Sequence, residues 1–174
     1  MNVTLISVII ISIALCSIFF CNAQKTLNVG DYAPNFTLKD QYNNNISLTS
    51  IPGKKALIFY PKDSSYGCTK QACSIRDGFT ELTDAGITVL GISKGSIQSK
   101  SLFASRDHLP FTLLSATKNV LKAYGVEGSF FRLYLPKRYT FLINEKGIIV
   151  AIIKNIDLNN HAQQIIDEFN KHSQ

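Results

Sequence analysis

The sequence predicts an α/β domain with a central mixed sheet, helices on its flanks and a β-hairpin at its amino end. Three patterns carry this expectation: an unbroken apolar run at residues 56–60, a helical stripe followed by a second apolar run at 87–92, and a strand–turn–strand pattern before a closing amphipathic segment. Strand, helix and strand in that order make a βαβ unit, whose right-handed crossover requires parallel pairing.

Each element has its own signal. Val29-Gly30-Asp31-Tyr32-Ala33-Pro34 is an extended approach, and residues 35–38 and 46–48 form a short hairpin around Tyr42-Asn43-Asn44-Asn45. Residues 56–60 are apolar throughout and lie between Lys54-Lys55 and Pro61, which reads as a strand buried on both faces. From residue 68 to 82, Ala72, Ile75, Phe79 and Leu82 recur at spacings of three and four, one helical face that Cys68 shares. Ala85-Gly86 stops that helix, and 87–92 is the next strand. Residues 97–106 and 118–124 read as helices. Residues 139–143 and 148–153 form a hairpin through Asn144-Glu145-Lys146-Gly147. Ala162, Ile165, Ile166 and Phe169 place one apolar stripe on a final helix over 160–169. The order of elements predicts a thioredoxin-like α/β domain, with no internal repeat, linker or low-complexity segment.

Length and charge narrow the function classes. The chain has 174 residues, 45% of them hydrophobic and 10% aromatic, enough for one well-filled core. Its net charge of +6 comes from 18 basic residues scattered in runs no longer than pairs such as Lys54-Lys55 and Lys137-Arg138. A nucleic-acid binder gathers such charge onto one face, so that class is excluded as an expectation; a weak pull on anionic surfaces remains.

The amino terminus reads as an address. The segment from Val3 to Cys21 is apolar apart from Thr4, Ser7, Ser12 and Ser17, and Cys21-Asn22-Ala23 sets small residues before a cut after Ala23. Residues 1–23 are therefore expected to be a signal peptide, with 24–174 as the folded domain. The alternative is an uncleaved membrane anchor, because a largely apolar 19-residue segment can span roughly 30 Å of hydrocarbon. Either way the domain is expected outside the cytoplasm, exported to a periplasmic or secreted location or tethered facing outward.

Removing the leader leaves Cys68 and Cys73. A disulfide closing so short a loop constrains the unfolded chain little, so redox chemistry is favoured over a structural staple. Cys68 follows a buried strand and opens a helix, where unpaired backbone N–H groups and the positive end of the helix dipole favour a thiolate. Ser65, three residues upstream, can donate a hydrogen bond. Arg138 is a candidate permanent positive charge for the thiolate and for an oxygen leaving group, against the plainer reading of a solvated surface charge. His108, His161 and His172 have no ligand-like spacing, and two thiols separated by four residues fall outside usual zinc spacing. They are expected to be solvated or satisfied histidines. Asp31, Asp63 and Asp77 form no carboxylate pair and read as loop, cap or ion-pair residues.

The stretch from Pro61 through Ser65 to Cys68 has the pattern Pro, three residues, Thr or Ser, two residues, Cys, with Cys73 five positions on. Together with 29–36, Lys122-Ala123-Tyr124-Gly125-Val126 and Leu135-Pro136-Lys137-Arg138-Tyr139-Thr140-Phe141, it closely resembles the peroxiredoxins, and within them the peroxiredoxin Q or bacterioferritin comigratory subfamily. The resemblance covers nearly all of residues 27–170. It implies Cys68 as peroxidatic cysteine, Cys73 as resolving cysteine, Ser65 as the hydroxyl that holds the peroxide, Pro61 as a shield over the thiolate and Arg138 as the active-site arginine. It also implies a peroxide substrate and a thioredoxin-like reductant, with no cofactor and no metal. A monomer is expected, with a dimer as the alternative. The chain departs from the subfamily at Ser65-Tyr66-Gly67, where Thr-Pro-Gly is usual, and at Ala116, where an acidic residue is common. Two rivals remain: a thiol–disulfide oxidoreductase, which would lack its usual Cys-x-x-Cys, and a non-catalytic, membrane-tethered chaperone or binding module.

Overall fold

The computed structural model describes residues 26–128 and 135–172. The expected leader at 1–23, cleaved or retained, lies outside the described residues. Among those described, no helix is long and apolar enough to cross a membrane.

The chain opens with the hairpin β1 (Thr37–Asp40) and β2 (Asn45–Ser47). The Asp40 carboxylate accepts the backbone N–H groups of Tyr42 and Asn44, each at 2.8 Å, which fixes the turn. Next come β3 (Lys54–Phe59), α1 (Tyr66–Asp77), α2 (Phe79–Asp84), β4 (Ile87–Ser93), α3 (Ile97–Arg106) and β5 (Thr112–Ser115). The chain closes with α4 (Lys118–Ala123), β6 (Tyr139–Ile143), β7 (Ile149–Ile153) and α5 (His161–Lys171).

The seven strands form one mixed sheet in the order β2-β1-β5-β4-β3-β6-β7. β3, β4 and β5 are parallel, as the crossover rule requires. β6 runs antiparallel to β3, and β7 to β6. Side chains alternate across β3, so Ala56, Ile58 and Tyr60 enter the core under α1, α2, α3 and α5. Leu57 and Phe59 enter a second core with Leu90, Ile92, Tyr124 and Phe141. The expected burial on both faces follows from this central position.

Two expectations are corrected. The helix expected to run unbroken from residue 68 to 82 is two helices joined at Gly78. A Cβ on Gly78 would sit 2.5 Å from the Ala162 Cβ, so this residue lets the α1–α2 junction press against α5. Thr112–Ser115, which carried no strand expectation, is β5 and pairs with both β4 and β1. Four residues are too few to show a period of their own.

Candidate active site

Open parallel sheets place their sites at the carboxyl ends of their strands, and the cysteine helix starts there. After β3 the chain turns through Pro61 to Ser65, with Ser64 in the left-handed region at φ 59°, and enters α1 at Tyr66. Ser65 is the residue before the first helical turn, and its carbonyl accepts the Thr69 N–H at 2.8 Å. Its hydroxyl donates to the Lys62 carbonyl at 3.1 Å, which ties the loop to the helix start. Tyr66, at the position where proline is usual, is 87% exposed. The first helical residue has no intrahelical partner for its N–H, so proline and tyrosine both fit there. Pro61 is half-buried directly after Tyr60.

Cys68 lies in the first turn of α1 and is 2% exposed, packed against Ile58, Tyr60, Ala72 and Phe103. Its Sγ accepts a hydrogen bond from Arg138 Nη2 at 3.3 Å. The topology explains this meeting across 70 residues. The end of β3 lies opposite the start of β6 in the pairing of Phe59 with Tyr139, so the residue before β6 reaches the helix that follows β3. Among the described residues, no carboxylate pairs with Arg138.

The other guanidinium nitrogen, Nη1, donates to Gln71 Oε1. Gln71 is buried one turn after Cys68, and its Nε2 lies 3.0 Å from His161 Nδ1. His161 Nε2 in turn lies 3.1 Å from Thr140 Oγ1, two residues beyond Arg138 on the same strand face. The His161 backbone N–H donates to Ser74 Oγ at 2.7 Å. Burial, reinforced by the nearby Arg138 charge and opposed by Asp157, pushes the His161 pKa down to about 4.

A second buried cluster holds the loop from the opposite side. The Asp63 carboxylate accepts from Tyr60 Oη at 2.7 Å, Ser93 Oγ at 2.8 Å, Ser99 Oγ at 2.8 Å and Lys100 Nζ at 3.1 Å. Lys100 also donates to Ser93 Oγ at 2.7 Å and lies 5.4 Å from the centre of the Tyr60 ring. Burial alone would raise the Asp63 pKa, but the ammonium and the three hydroxyls outweigh it and hold the carboxyl below its ordinary range. Burial lowers the Lys100 pKa despite Asp63, and raises that of Tyr60 well above its usual value.

The structure thus joins Cys68 and Arg138 directly and sets Ser65 and Pro61 on the adjoining loop. Cys73 sits farther along α1; both cysteines are free, Cys68 buried and Cys73 partly exposed. Sequence reasoning missed Gln71 and Lys100 as parts of the site. A polar residue three after Cys68, on an otherwise apolar stripe, was the available signal for Gln71. His161 is a satisfied core histidine and Asp63 an ion-pair residue, both within what was expected. A cavity of about 450 Å³ opens on the other face of the sheet between Tyr124, Lys137 and Lys154, and Cys68 does not line it. Cys68, bonded to a cation at a helix start, marks the reactive site more strongly than cavity size does.

Residues 29–152 match the AhpC/TSA family. A Coxiella burnetii protein assigned by name to the peroxiredoxins (bcp) is 41% identical over 147 residues, covering 81% of this chain and 97% of its own length. Chloroplastic peroxiredoxin Q of Triticum aestivum is 44% identical over 128 residues, 72% of this chain, which spans 58% of that longer protein. The crystal structure of peroxidoxin BcpB from Mycobacterium tuberculosis superposes with a TM-score of 0.78 at 27% identity, covering 85% of this chain and 99% of that one. A cysteine-to-serine mutant of Xylella fastidiosa PrxQ gives 0.78 at 25% identity, over 86% and 99%. The chain belongs to the AhpC/TSA family, on its peroxiredoxin Q branch.

Proposed function

We propose that this chain is a thiol-dependent peroxidase in which Cys68 is the nucleophile, Arg138 its electrostatic partner and Cys73 the resolving thiol. The observation that carries the reading is the Arg138 Nη2 donation to Cys68 Sγ at 3.3 Å, from a cation with no carboxylate paired to it among the described residues. Its charge is available to the thiolate and then to the oxygen released from the peroxide.

The Cys68 thiolate attacks one peroxide oxygen and the O–O bond breaks. The sulfur takes that oxygen as a sulfenic acid, and the other oxygen leaves with a proton as water or an alcohol. The Cys73 thiol then displaces the sulfenic hydroxyl as water, forming the Cys68–Cys73 disulfide. An external dithiol restores both thiols by exchange, becoming a disulfide itself; a thioredoxin-like protein fits that role. Pro61 and Ser65 lie on the loop that leads into the helix of Cys68. The uncharged leader supports action outside the cytoplasm, where the reductant has to be supplied against an oxidising environment; amino-terminal sequencing that returned residue 1 in a membrane fraction would replace a cleaved signal with an anchor.

Cys68→Ser abolishes peroxide consumption, whereas Cys73→Ser still consumes about one equivalent and stops as the sulfenic acid. Peroxide turnover by Cys68→Ser at the wild-type rate would overturn the assignment. The disulfide also demands motion. Five residues advance about 7.5 Å along a helix and turn the side chain about 140° net, while disulfides join Cα atoms within about 7 Å. Residues between Cys68 and Cys73 therefore unwind, and amide hydrogen exchange over 66–80 rises on oxidation. Equal protection in both states, with the disulfide verified by mass spectrometry, would refute the unwinding.

A further inference from the structure

The most deeply buried group near the thiol that the proposed reaction does not use is His161. It is fully excluded from solvent, at the first position of α5, and yet its ring nitrogens are bonded to Gln71 and Thr140 and its backbone N–H to Ser74, two of these partners lying on the helix that carries Cys68. We infer that His161 is a positioning residue for Cys68: through Gln71 it dictates which amide atom faces Arg138, and so where the guanidinium stands relative to the thiol. The inference rests on the peroxidase reading above and deepens it.

The hydrogen-bond chemistry permits only one arrangement. Arginine donates and never accepts, so the Gln71 atom facing Nη1 has to be the oxygen. That leaves the amide nitrogen, a donor, facing His161. The ring atom there, Nδ1, has to be the unprotonated acceptor, and the proton of the neutral imidazole then lies on Nε2 and is donated to Thr140 Oγ1. An amide turned the other way would set two donors against each other at Arg138. An imidazolium would do the same at Gln71. The low pKa of His161 agrees with a ring held neutral.

The surroundings hold the ring in place from every side. Thr140 comes from β6, the strand that Arg138 precedes; Ser74 comes from α1, one turn beyond Gln71; and the two charges that act on the ring are Arg138 and Asp157. The carboxyl-terminal helix is thereby keyed to the catalytic arginine through a single amide. A leucine would fill the space at less desolvation cost but would leave Gln71 Nε2 without a partner and the amide free to turn.

The test separates positioning from mere packing. His161→Leu keeps the volume and removes the acceptor, whereas His161→Asn restores an oxygen close to where Nδ1 stood. In stopped-flow reaction with hydrogen peroxide, His161→Leu slows the Cys68 step by about tenfold, within the roughly hundredfold that a misplaced catalytic group costs. His161→Asn stays within about threefold of wild type, in the range of a single weakened hydrogen bond. Rates are taken on the folded fraction, measured by circular dichroism. A leucine variant with wild-type rate, while Cys68→Ser is inactive, overturns the inference and leaves the peroxidase reading standing; an asparagine variant no better than leucine also overturns it. Nitrogen NMR of reduced wild-type protein needs no variant. It is expected to show His161 protonated on Nε2 alone at neutral pH, and a proton on Nδ1 would refute the arrangement.

Discussion

The two buried polar clusters that meet at Cys68 follow opposite electrostatic plans. Around Asp63, a carboxylate is compensated by an ammonium and three hydroxyls, so charge is cancelled locally and the loop before the cysteine is fixed to the ends of β4 and α3. Around Arg138, the partners are a neutral amide and a thiol, and the amide is backed by a neutral imidazole. The first cluster uses charge to anchor backbone. The second, among the described residues, leaves its charge uncancelled by any carboxylate and aims it at sulfur. A buried ion pair is weak evidence of net stability, because desolvation offsets the attraction, but breaking one is costly; an uncompensated cation is costly too, unless something is gained from its field. Here the contact with the Cys68 sulfur supplies that gain.

This contrast can be broken most severely at Lys100. Lys100→Met leaves the buried Asp63 carboxylate with its three hydroxyl donors but no counter-charge and lowers unfolding stability by about 3–5 kcal/mol, read from urea denaturation. Asp63→Asn in the same protein removes the stranded charge and recovers much of that loss. An unchanged midpoint in Lys100→Met would mean that the cluster holds no uncompensated charge once the ammonium is gone.

Arg138→Ala sharpens the other side. The reaction of Cys68 with peroxide slows by roughly 10²–10³-fold, the range for removing one preorganised donor. Thermal stability falls less than in Lys100→Met. A larger stability loss than rate loss would reverse the roles assigned to the two clusters.

A third effect, graded rather than all-or-none, separates the clusters by pH. His161 titrates near 4 in the fold and near 6.5 in an unfolded chain. The unfolded state binds the extra proton between those values, so His161's contribution is complete above 6.5 and is lost as pH falls toward 4, at about 1.4 kcal/mol per unit. Asp63 is depressed below 3.8, so its contribution is present above that value and is lost only at lower pH. Urea unfolding from pH 7 to pH 3 should show both windows. His161→Asn removes the upper one alone, and a variant that retained the slope between 6.5 and 4 would assign it to another group.

Most of what could be read along the chain was local. The strand at 139–143 and the helix at 97–106 stand where their apolar periods put them, because period two and period 3.6 are written over a few neighbouring residues. The candidate nucleophile Cys68 was equally legible, since a cysteine following a buried run and opening a helix needs no distant information. Arg138 was found only through its place in a motif, for its charge alone would have read as surface. Gly78 shows the limit. The apolar stripe runs through it unbroken, and the close approach of Ala162, which leaves no room for a side chain there, comes from the far end of the chain.

By itself, then, the sequence determined the order of elements, the parallel βαβ unit, the thiol at the helix start and the resemblance that joined Cys68, Cys73, Ser65, Pro61 and Arg138. Tertiary structure alone decided the sheet order, the short β5 and the pairings of Asp63 with Lys100 and of Gln71 with His161, separated by 37 and 90 residues. The physical reason is the same in each case. An apolar side chain needs only to be inside, and its period says so, whereas a buried polar atom needs one particular partner at about 3 Å in the right orientation. Folding, not spacing, selects that partner.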